Sequence, residues 1–140
     1  MNIENLKASQ KTDQLFLVLA DDYDTSHATF YYYKKEEEWQ LVLETPALIG
    51  QRGMGEGKEG ARQTPIGEYT FGKLMGIAPD PGTKMDYHQI TEDDYWCGEQ
   101  YYNKFVDEKT MDHSHCTKEN DEHLIEYTKP YEYTAFFNYN

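Results

Sequence analysis

The alternation of apolar and polar side chains predicts β-strands in the first third of the chain. Residues 14–20 form a nearly continuous apolar run, which in so short a segment is typical of a strand covered on both faces. Residues 28–33 are rich in aromatic and β-branched side chains, and residues 39–44 alternate apolar with polar positions. The charged residues at 34–38 are typical of a solvated loop. The pattern therefore predicts a core strand followed by a β-hairpin.

A glycine-rich segment follows the hairpin. Seven of the ten glycines lie between residues 50 and 72, so this segment cannot hold a regular helix. It ends in the strand-like residues 68–71. An irregular connection of this length inside a compact domain is usually functional or disordered, and its clean ending favours a functional loop.

The rest of the chain carries a weaker pattern. Residues 79–82 form a turn signal, and the aromatic segment at 101–106 is compatible with a helix. Residues 131–140 predict a closing strand, and its alternate side chains share one face: Tyr131, Tyr133, Ala135, Phe137 and Tyr139. Aromatic residues make up 15% of the chain, which favours strands. We predict a mainly β fold, a sandwich or partly closed barrel with few short helices, at residues 14–140 after an N-terminal extension at 1–13.

Charge and hydropathy argue against two classes of partner. The chain has 26 acidic and 13 basic residues, and this formal charge of -13 disfavours both nucleic acid and anionic lipid surfaces. The longest apolar run, residues 15–20, is far shorter than the roughly 20 residues that a membrane-spanning helix needs. The first fourteen residues lack the apolar region of a signal peptide. The chain is therefore either cytoplasmic or an exported protein without its export signal.

A nucleotide site is not predicted. Residues 55–60 fit the pattern GxGxxG, but no helix can start in the residues that follow and no βαβ unit surrounds them. The Walker spacing also fails, because position 52 is Arg and Lys58 is followed by Glu59. We expect no cofactor.

The glycine-rich segment instead carries a motif series. A Glu-Gly pair ending at Gly60 is followed by Thr64-Pro65-Ile66-Gly67 and then by a strand. Five further segments continue the series: Asp80-Pro81-Gly82-Thr83, Tyr87-His88-Gln89-Ile90-Thr91, Asp93-Asp94-Tyr95-Trp96-Cys97, Tyr102-Asn103 and Glu122-His123-Leu124-Ile125-Glu126-Tyr127. In order and spacing, residues 14–140 resemble the front part of an L,D-transpeptidase (YkuD-type) catalytic domain.

The resemblance implies a fold and an activity. The family has a mainly β fold, which this chain would leave incomplete at its C-terminus. Its catalytic cysteine follows a glycine, is activated by an upstream histidine, and forms a thioester that an amine resolves into a cell-wall peptide cross-link. That histidine and cysteine would be encoded beyond residue 140, so we expect this chain alone to be inactive. The partners would be peptidoglycan stem peptides, and the location would be outside the cytoplasm or in the cell wall.

Neither cysteine in this chain fits the family's nucleophile. Cys97 is preceded by Trp96 and Cys116 by His115, not by glycine. The leading hypothesis for an exported protein is a disulfide between them, worth about 3 kcal/mol on the chain-entropy model. A reactive Cys97, served by His88 or His123, is the less favoured alternative.

Two other groups of residues have a functional and a structural interpretation. The histidines at 113 and 115, with Cys116 and His123, are zinc-ligand types, but their spacing is not a recognised finger and we predict no metal. Tyr87, Tyr95, Trp96 and Tyr102 could line a substrate cleft, since aromatic rings stack on sugars, or could simply pack in the core.

Two alternatives to a transpeptidase fragment follow. One is a non-catalytic module that binds cell-wall glycan or peptide. The other is an intracellular protein that uses its His and Cys residues for metal or redox chemistry. An incomplete domain would also expose a sheet edge, through which copies of the chain could associate.

Overall fold

The computed structural model describes residues 1–58, 60–97, 104–107 and 121–139. Within the described residues, strands make up 43% and helical turns 8%, no helix has seven residues or more, and no sheet closes into a barrel. The predicted mainly β fold is therefore confirmed. No helix in the described ranges is long and apolar enough to cross a membrane. The chain divides into two compact units, Met1–Glu68 and Tyr69–Asn140.

The first unit is built on a three-stranded antiparallel sheet. Two short 3-10 helices, Ile3–Asn5 and Ala8–Gln10, precede the strands β1 (Gln14–Leu19), β2 (His27–Lys35) and β3 (Trp39–Leu48). The sheet order is β1-β2-β3. The predicted hairpin between β2 and β3 is confirmed, but its turn is shorter than the charged run, because Lys34 and Lys35 still pair with β3.

The expectation for β1 is wrong in one respect. The predicted strand exists, but it lies at the edge of its sheet and is not covered on both faces. Leu15 is buried, whereas Phe16 is 45% exposed and Leu19 is 40% exposed. A short apolar run has no periodicity that distinguishes a central strand from an edge strand, so the burial of β1 could not be inferred from its composition.

Two short strands lie in the glycine-rich segment of the first unit. They are β4 (Met54–Gly55) and β5 (Thr64–Pro65), and they pair in parallel. The strand predicted at residues 68–71 begins only at Phe71, in the second unit.

The second unit contains two three-stranded sheets. Its strands are β6 (Phe71–Gly76), β7 (Tyr87–Gln89), β8 (Asp94–Cys97), β9 (Lys104–Asp107), β10 (Glu122–His123) and β11 (Thr134–Phe137). One sheet has the order β11-β6-β7 and the other β10-β8-β9. A 3-10 helix, Leu124–Glu126, follows β10 directly.

Side chains from both of these sheets form the core of the second unit. Met75, Ile90 and Leu124 are its buried centre. Trp96 of β8 stacks on Phe136 of β11, with ring centroids 4.7 Å apart and planes 16° from parallel. Aromatic stacking of this kind joins one sheet to the other.

Two predictions for the second unit are corrected by its strands. The helical interpretation of residues 101–106 is wrong where the structure describes the segment, because residues 104–107 form β9 and Phe105 pairs with Trp96; residues 101–103 lie outside the described part. The closing strand spans Thr134–Phe137, not residues 131–140, and its register shifts between Ala135 and Phe137. Such a bulge interrupts the strict alternation that the sequence pattern assumes.

Candidate functional site

The glycine-rich loop is an ordered structure held by backbone hydrogen bonds. The Thr64 amide donates to the Gly53 carbonyl (2.9 Å), and the Ile66 amide donates to the Gly55 carbonyl (3.1 Å). Two residues before each of the short strands, the Arg52 amide donates to the Arg62 carbonyl (2.9 Å). The two arms of the loop therefore lie side by side and run in the same direction.

The Thr64-Pro65 corner is fixed from a third position. The Gly50 amide donates a hydrogen bond of 2.8 Å to the Thr64 hydroxyl. Pro65 has a fixed φ and favours an extended Thr64, which suits both residues to the short strand β5. Gly60 turns the tip of the loop with a φ of +75° and Gly67 follows the corner, so the four predicted motif residues all lie in one segment.

Two glycines allow the backbones in this loop to approach closely. A Cβ atom at Gly53 would lie 1.9 Å from the Tyr23 carbonyl oxygen, and one at Gly50 would lie 2.6 Å from the Arg62 carbonyl oxygen. Gly53 also has a φ of +76°, which glycine adopts far more readily than other residues. These positions therefore need glycine for a steric reason.

Charged side chains in the loop differ in their pairing. Lys58 donates to Glu56 over 2.7 Å, and this hydrogen bond lowers the pKa of Glu56 and raises the pKa of Lys58. Arg62 has a φ of +55°, the one positive φ of a non-glycine residue in the described ranges, and its Nη1 donates to Gln51 Oε1 (3.1 Å). A residue held in this region costs about 1–2 kcal/mol and is frequently functional.

A buried carboxylate organises the start of β8 in the second unit. Asp94 is fully buried, and its Oδ2 accepts hydrogen bonds from the Thr91 amide (2.8 Å) and lies 2.6 Å from His88 Nε2. The Thr91 hydroxyl in turn accepts from the Asp93 amide (3.3 Å), which closes a local turn before β8. Asp94 Oδ1 is buried and has no hydrogen-bond partner in the described part of the chain. This arrangement fixes the His88 ring, whose side chain is 30% exposed.

His123 is held by a different set of contacts. Its Nε2 donates to the Glu92 carbonyl (2.6 Å), and its ring stacks on Tyr95 with centroids 4.6 Å apart. Its Nδ1 lies 3.2 Å from Glu126 Oε1, but the angles at these atoms do not make a hydrogen bond. His123 is 6% exposed and therefore acts within the packing of β8 and β10.

The predicted cleft aromatics are placed in different environments. The Tyr87 hydroxyl donates to the Ala78 carbonyl (2.7 Å), and burial, followed by the nearby Tyr133 and Asp80, raises the pKa of Tyr87. Tyr95 is buried against His123 and Trp96 stacks in the core of the second unit. Tyr102 lies outside the described residues. A cleft lined by these rings stays a prediction.

The cysteine and metal hypotheses fall largely on residues outside the described part. Cys97 is fully buried and disulfide-bonded. Cys116 and the histidines at 113 and 115 lie outside the described residues. Within the described ranges, no group of three His, Cys, Asp or Glu side chains could hold a metal ion.

Comparison with protein-family models, with curated proteins and with solved structures finds no match.

Two features of these clusters were missed by the sequence interpretation. Arg52 and Arg62 are the only arginines of the chain. Because both lie in the glycine-rich segment, the sequence alone could have singled them out as a pair. Asp and Thr side chains readily bond to nearby backbone groups, so the Thr-Glu-Asp-Asp sequence at 91–94 was also a signal for the local bond between Thr91 and Asp94. That His88 shares this carboxylate depends on the packing of β7 against β8 and could not be inferred from local sequence.

Proposed function

We propose that this chain is the front part of an L,D-transpeptidase-type domain, whose full-length protein cross-links peptidoglycan stem peptides by cysteine acyl transfer. The series of motifs from Gly60 to Tyr127 supports this proposal. The observation that carries it is the Thr64-Pro65 corner, locked by the Gly50 amide at 2.8 Å at the end of an ordered glycine-rich loop. An ordered loop of this kind, with exposed residues beside the half-buried corner, is suited to positioning a substrate.

On this proposal, the nucleophile lies in another part of the full-length protein. Acyl transfer needs an accessible thiolate next to a base. Cys97 is fully buried and disulfide-bonded, so its sulfur is not available to attack a peptide carbonyl. The chain by itself would hold the peptide without forming a thioester, and a role on stem peptides implies an exported protein.

The second candidate function is a non-catalytic module that binds cell-wall glycan or peptide. It is favoured by the same observation that Cys97 is unavailable, because a binding module needs no nucleophile. Both candidates predict binding to the cell wall, and they differ in whether the full-length protein forms a thioester.

Co-sedimentation with purified peptidoglycan sacculi, together with mass spectrometry after exposure to a carbapenem, tests the proposal. We expect the chain to sediment with sacculi and to gain no covalent carbapenem adduct. A chain that stays in the supernatant would contradict both candidate functions. An adduct on Cys97 would contradict the structural role of that cysteine.

A further inference from the structure

The only two arginines of the chain are neighbours in the glycine-rich loop. Residues 50–67 contain three basic and two acidic residues, a formal charge of +1, in a chain whose total is -13. The Arg52 amide donates to the Arg62 carbonyl, so the backbones of the two residues are adjacent, just before the paired strands β4 and β5. Both are exposed. The glycine-rich loop is therefore a small region of positive charge in a strongly acidic chain.

The backbone around these arginines is fixed and strained. Any Cβ at Gly50 would collide with the Arg62 carbonyl oxygen and with Gln63, which shows how tightly the two arms are packed. Arg62 keeps a φ of +55°, where an asparagine or glycine would be less strained. A long cationic side chain at such a position indicates a role for its guanidinium group that outweighs the local cost.

Among the residues that the structure describes, the two arginines have no acidic partner. Lys11 pairs with Glu68 and Lys58 with Glu56, each over 2.7 Å, whereas no ion pair in the described ranges involves Arg52 or Arg62. One N–H group of the Arg62 guanidinium donates to the neutral Gln51 amide oxygen. The other N–H groups of this guanidinium remain available to a ligand. In a chain with 26 acidic residues, two exposed arginines on adjacent backbone segments, without an ion pair to a described residue, are suited to an external anion.

We propose that Arg52 and Arg62 bind a free carboxylate of a peptidoglycan stem peptide. This inference rests on the proposed function and names the group that the loop recognises. The planar fork of a guanidinium group matches a carboxylate, which it can bind through two parallel hydrogen bonds.

Binding of a synthetic stem tetrapeptide with a free C-terminal carboxylate, measured by isothermal titration calorimetry, tests the proposal. The same peptide with a C-terminal amide removes only the anion. Arg52→Gln and Arg62→Gln remove one guanidinium each, and Lys58→Gln is the matched control, since it removes one positive charge from the same loop. We expect amidation and either arginine substitution to weaken binding about tenfold or more, because a hydrogen bond to a charged group is worth about 1.5–3 kcal/mol. Lys58→Gln should change affinity less than about threefold.

Sacculi binding by the same variants separates failure of this inference from failure of the proposed function. Equal affinity for the acid and the amide, or sacculi binding that neither arginine substitution weakens, would overturn the carboxylate site and leave the proposed function standing. Inorganic phosphate that displaces the peptide at equimolar concentration would overturn the choice of carboxylate. A wild-type chain that binds neither peptide nor sacculi would overturn both proposals. Circular dichroism of each variant establishes that the β fold is retained.

Discussion

At the residue scale, the glycine-rich loop depends on two different properties of glycine. Gly60 and Gly53 both have a positive φ, of +75° and +76°. A Cβ at Gly60 would meet nothing within 4 Å, whereas one at Gly53 would lie 1.9 Å from a carbonyl oxygen of Tyr23. Alanine substitutions at these two glycines therefore separate the free-energy cost of the backbone conformation from the cost of a steric collision.

Gly53→Ala should lower the free energy of unfolding by at least about 3 kcal/mol, since the Tyr23 backbone would have to move. Gly60→Ala is the matched control and should cost about 1–2 kcal/mol for its positive φ alone. Urea denaturation followed by circular dichroism measures both values. Equal losses in the two variants would mean that the packing of Gly53 against Tyr23 is not a constraint on the loop.

Tyr131 gives the second unit a dependence on alkaline pH. Burial, and then the hydrogen bond of 2.5 Å that its hydroxyl donates to Glu122, raise the pKa of Tyr131 well above its usual value of about 10. Above pH 10 the folded state therefore retains a proton that the unfolded chain has lost. The stabilisation is complete below pH 10 and is lost as the pH rises towards the folded-state pKa.

We expect the free energy of unfolding to fall above pH 10, and to fall less steeply in Tyr131→Phe. At neutral pH this substitution should cost about 1 kcal/mol for the lost hydrogen bond. Tyr23→Phe, at a side chain that is 71% exposed, is the control and should keep the wild-type slope. Thermal unfolding at a series of pH values makes the measurement, and identical slopes for wild type and Tyr131→Phe would contradict the assignment.

At the scale of elements, a single carboxylate joins two sheets of the second unit. Asp94 begins β8, and its Oδ2 contacts His88 on β7 and the turn at Thr91. The strands β7 and β8 belong to different sheets, so this contact supplements the apolar core between them. Loss of a buried acceptor leaves its donors unsatisfied, which costs more than the hydrogen bond itself contributes.

Asp94→Asn should therefore lower the free energy of unfolding by about 1–3 kcal/mol, because an amide oxygen replaces the charged acceptor and its NH2 group is buried. Glu92→Gln, two residues earlier and exposed, is the control with the same change of charge. Hydrogen exchange at the β7 and β8 amides measures the local effect. An Asp94 variant as stable as the Glu92 variant would show that the core alone holds the two sheets together.

Elements with a clear period could be predicted from sequence, and elements set by tertiary context could not. The alternation at 39–44 and the aromatic run at 28–33 identified the hairpin of β2 and β3. The burial of β1 and the strand state of β9 depend on neighbours far away in sequence, as the pairing of Phe105 with Trp96 illustrates. The bulge in β11 interrupts its alternation for the same reason. For the candidate site, the sequence located the loop, but the pairing of Arg52 with Arg62 required the backbone.

At the scale of the whole molecule, two features have opposite effects on self-association. The high net charge opposes it, and an exposed apolar sheet edge favours it. The strand β3 lies at the edge of its sheet, and Leu41, Val42 and Leu43 on it are 49%, 56% and 48% exposed. Such an edge can pair with another chain, although the register shift in β2–β3 and Pro46 weaken its regular hydrogen-bonding pattern. The charge of -13 keeps copies apart at low salt.

We propose that copies of the chain associate through this edge when salt screens their repulsion. Sedimentation velocity should show a larger species as the salt concentration rises, since the Debye length falls to about 3 Å at 1 M. Val42→Lys adds a charge to the edge and should shift the protein back to monomer, whereas Lys34→Gln on the central strand β2 should not. A chain that remains monomeric at high salt, or association that Val42→Lys leaves unchanged, would contradict this proposal.

The central proposal is that the chain is the front part of an L,D-transpeptidase-type domain. The most direct test is to sequence the gene past the codon for Asn140 and to read the frame that follows. The proposal predicts a histidine followed by a Ser/Thr-x-Gly-Cys segment in the same frame. A stop codon directly after Asn140 would contradict a fragment of an active transpeptidase and would make a non-catalytic cell-wall binding module the better account.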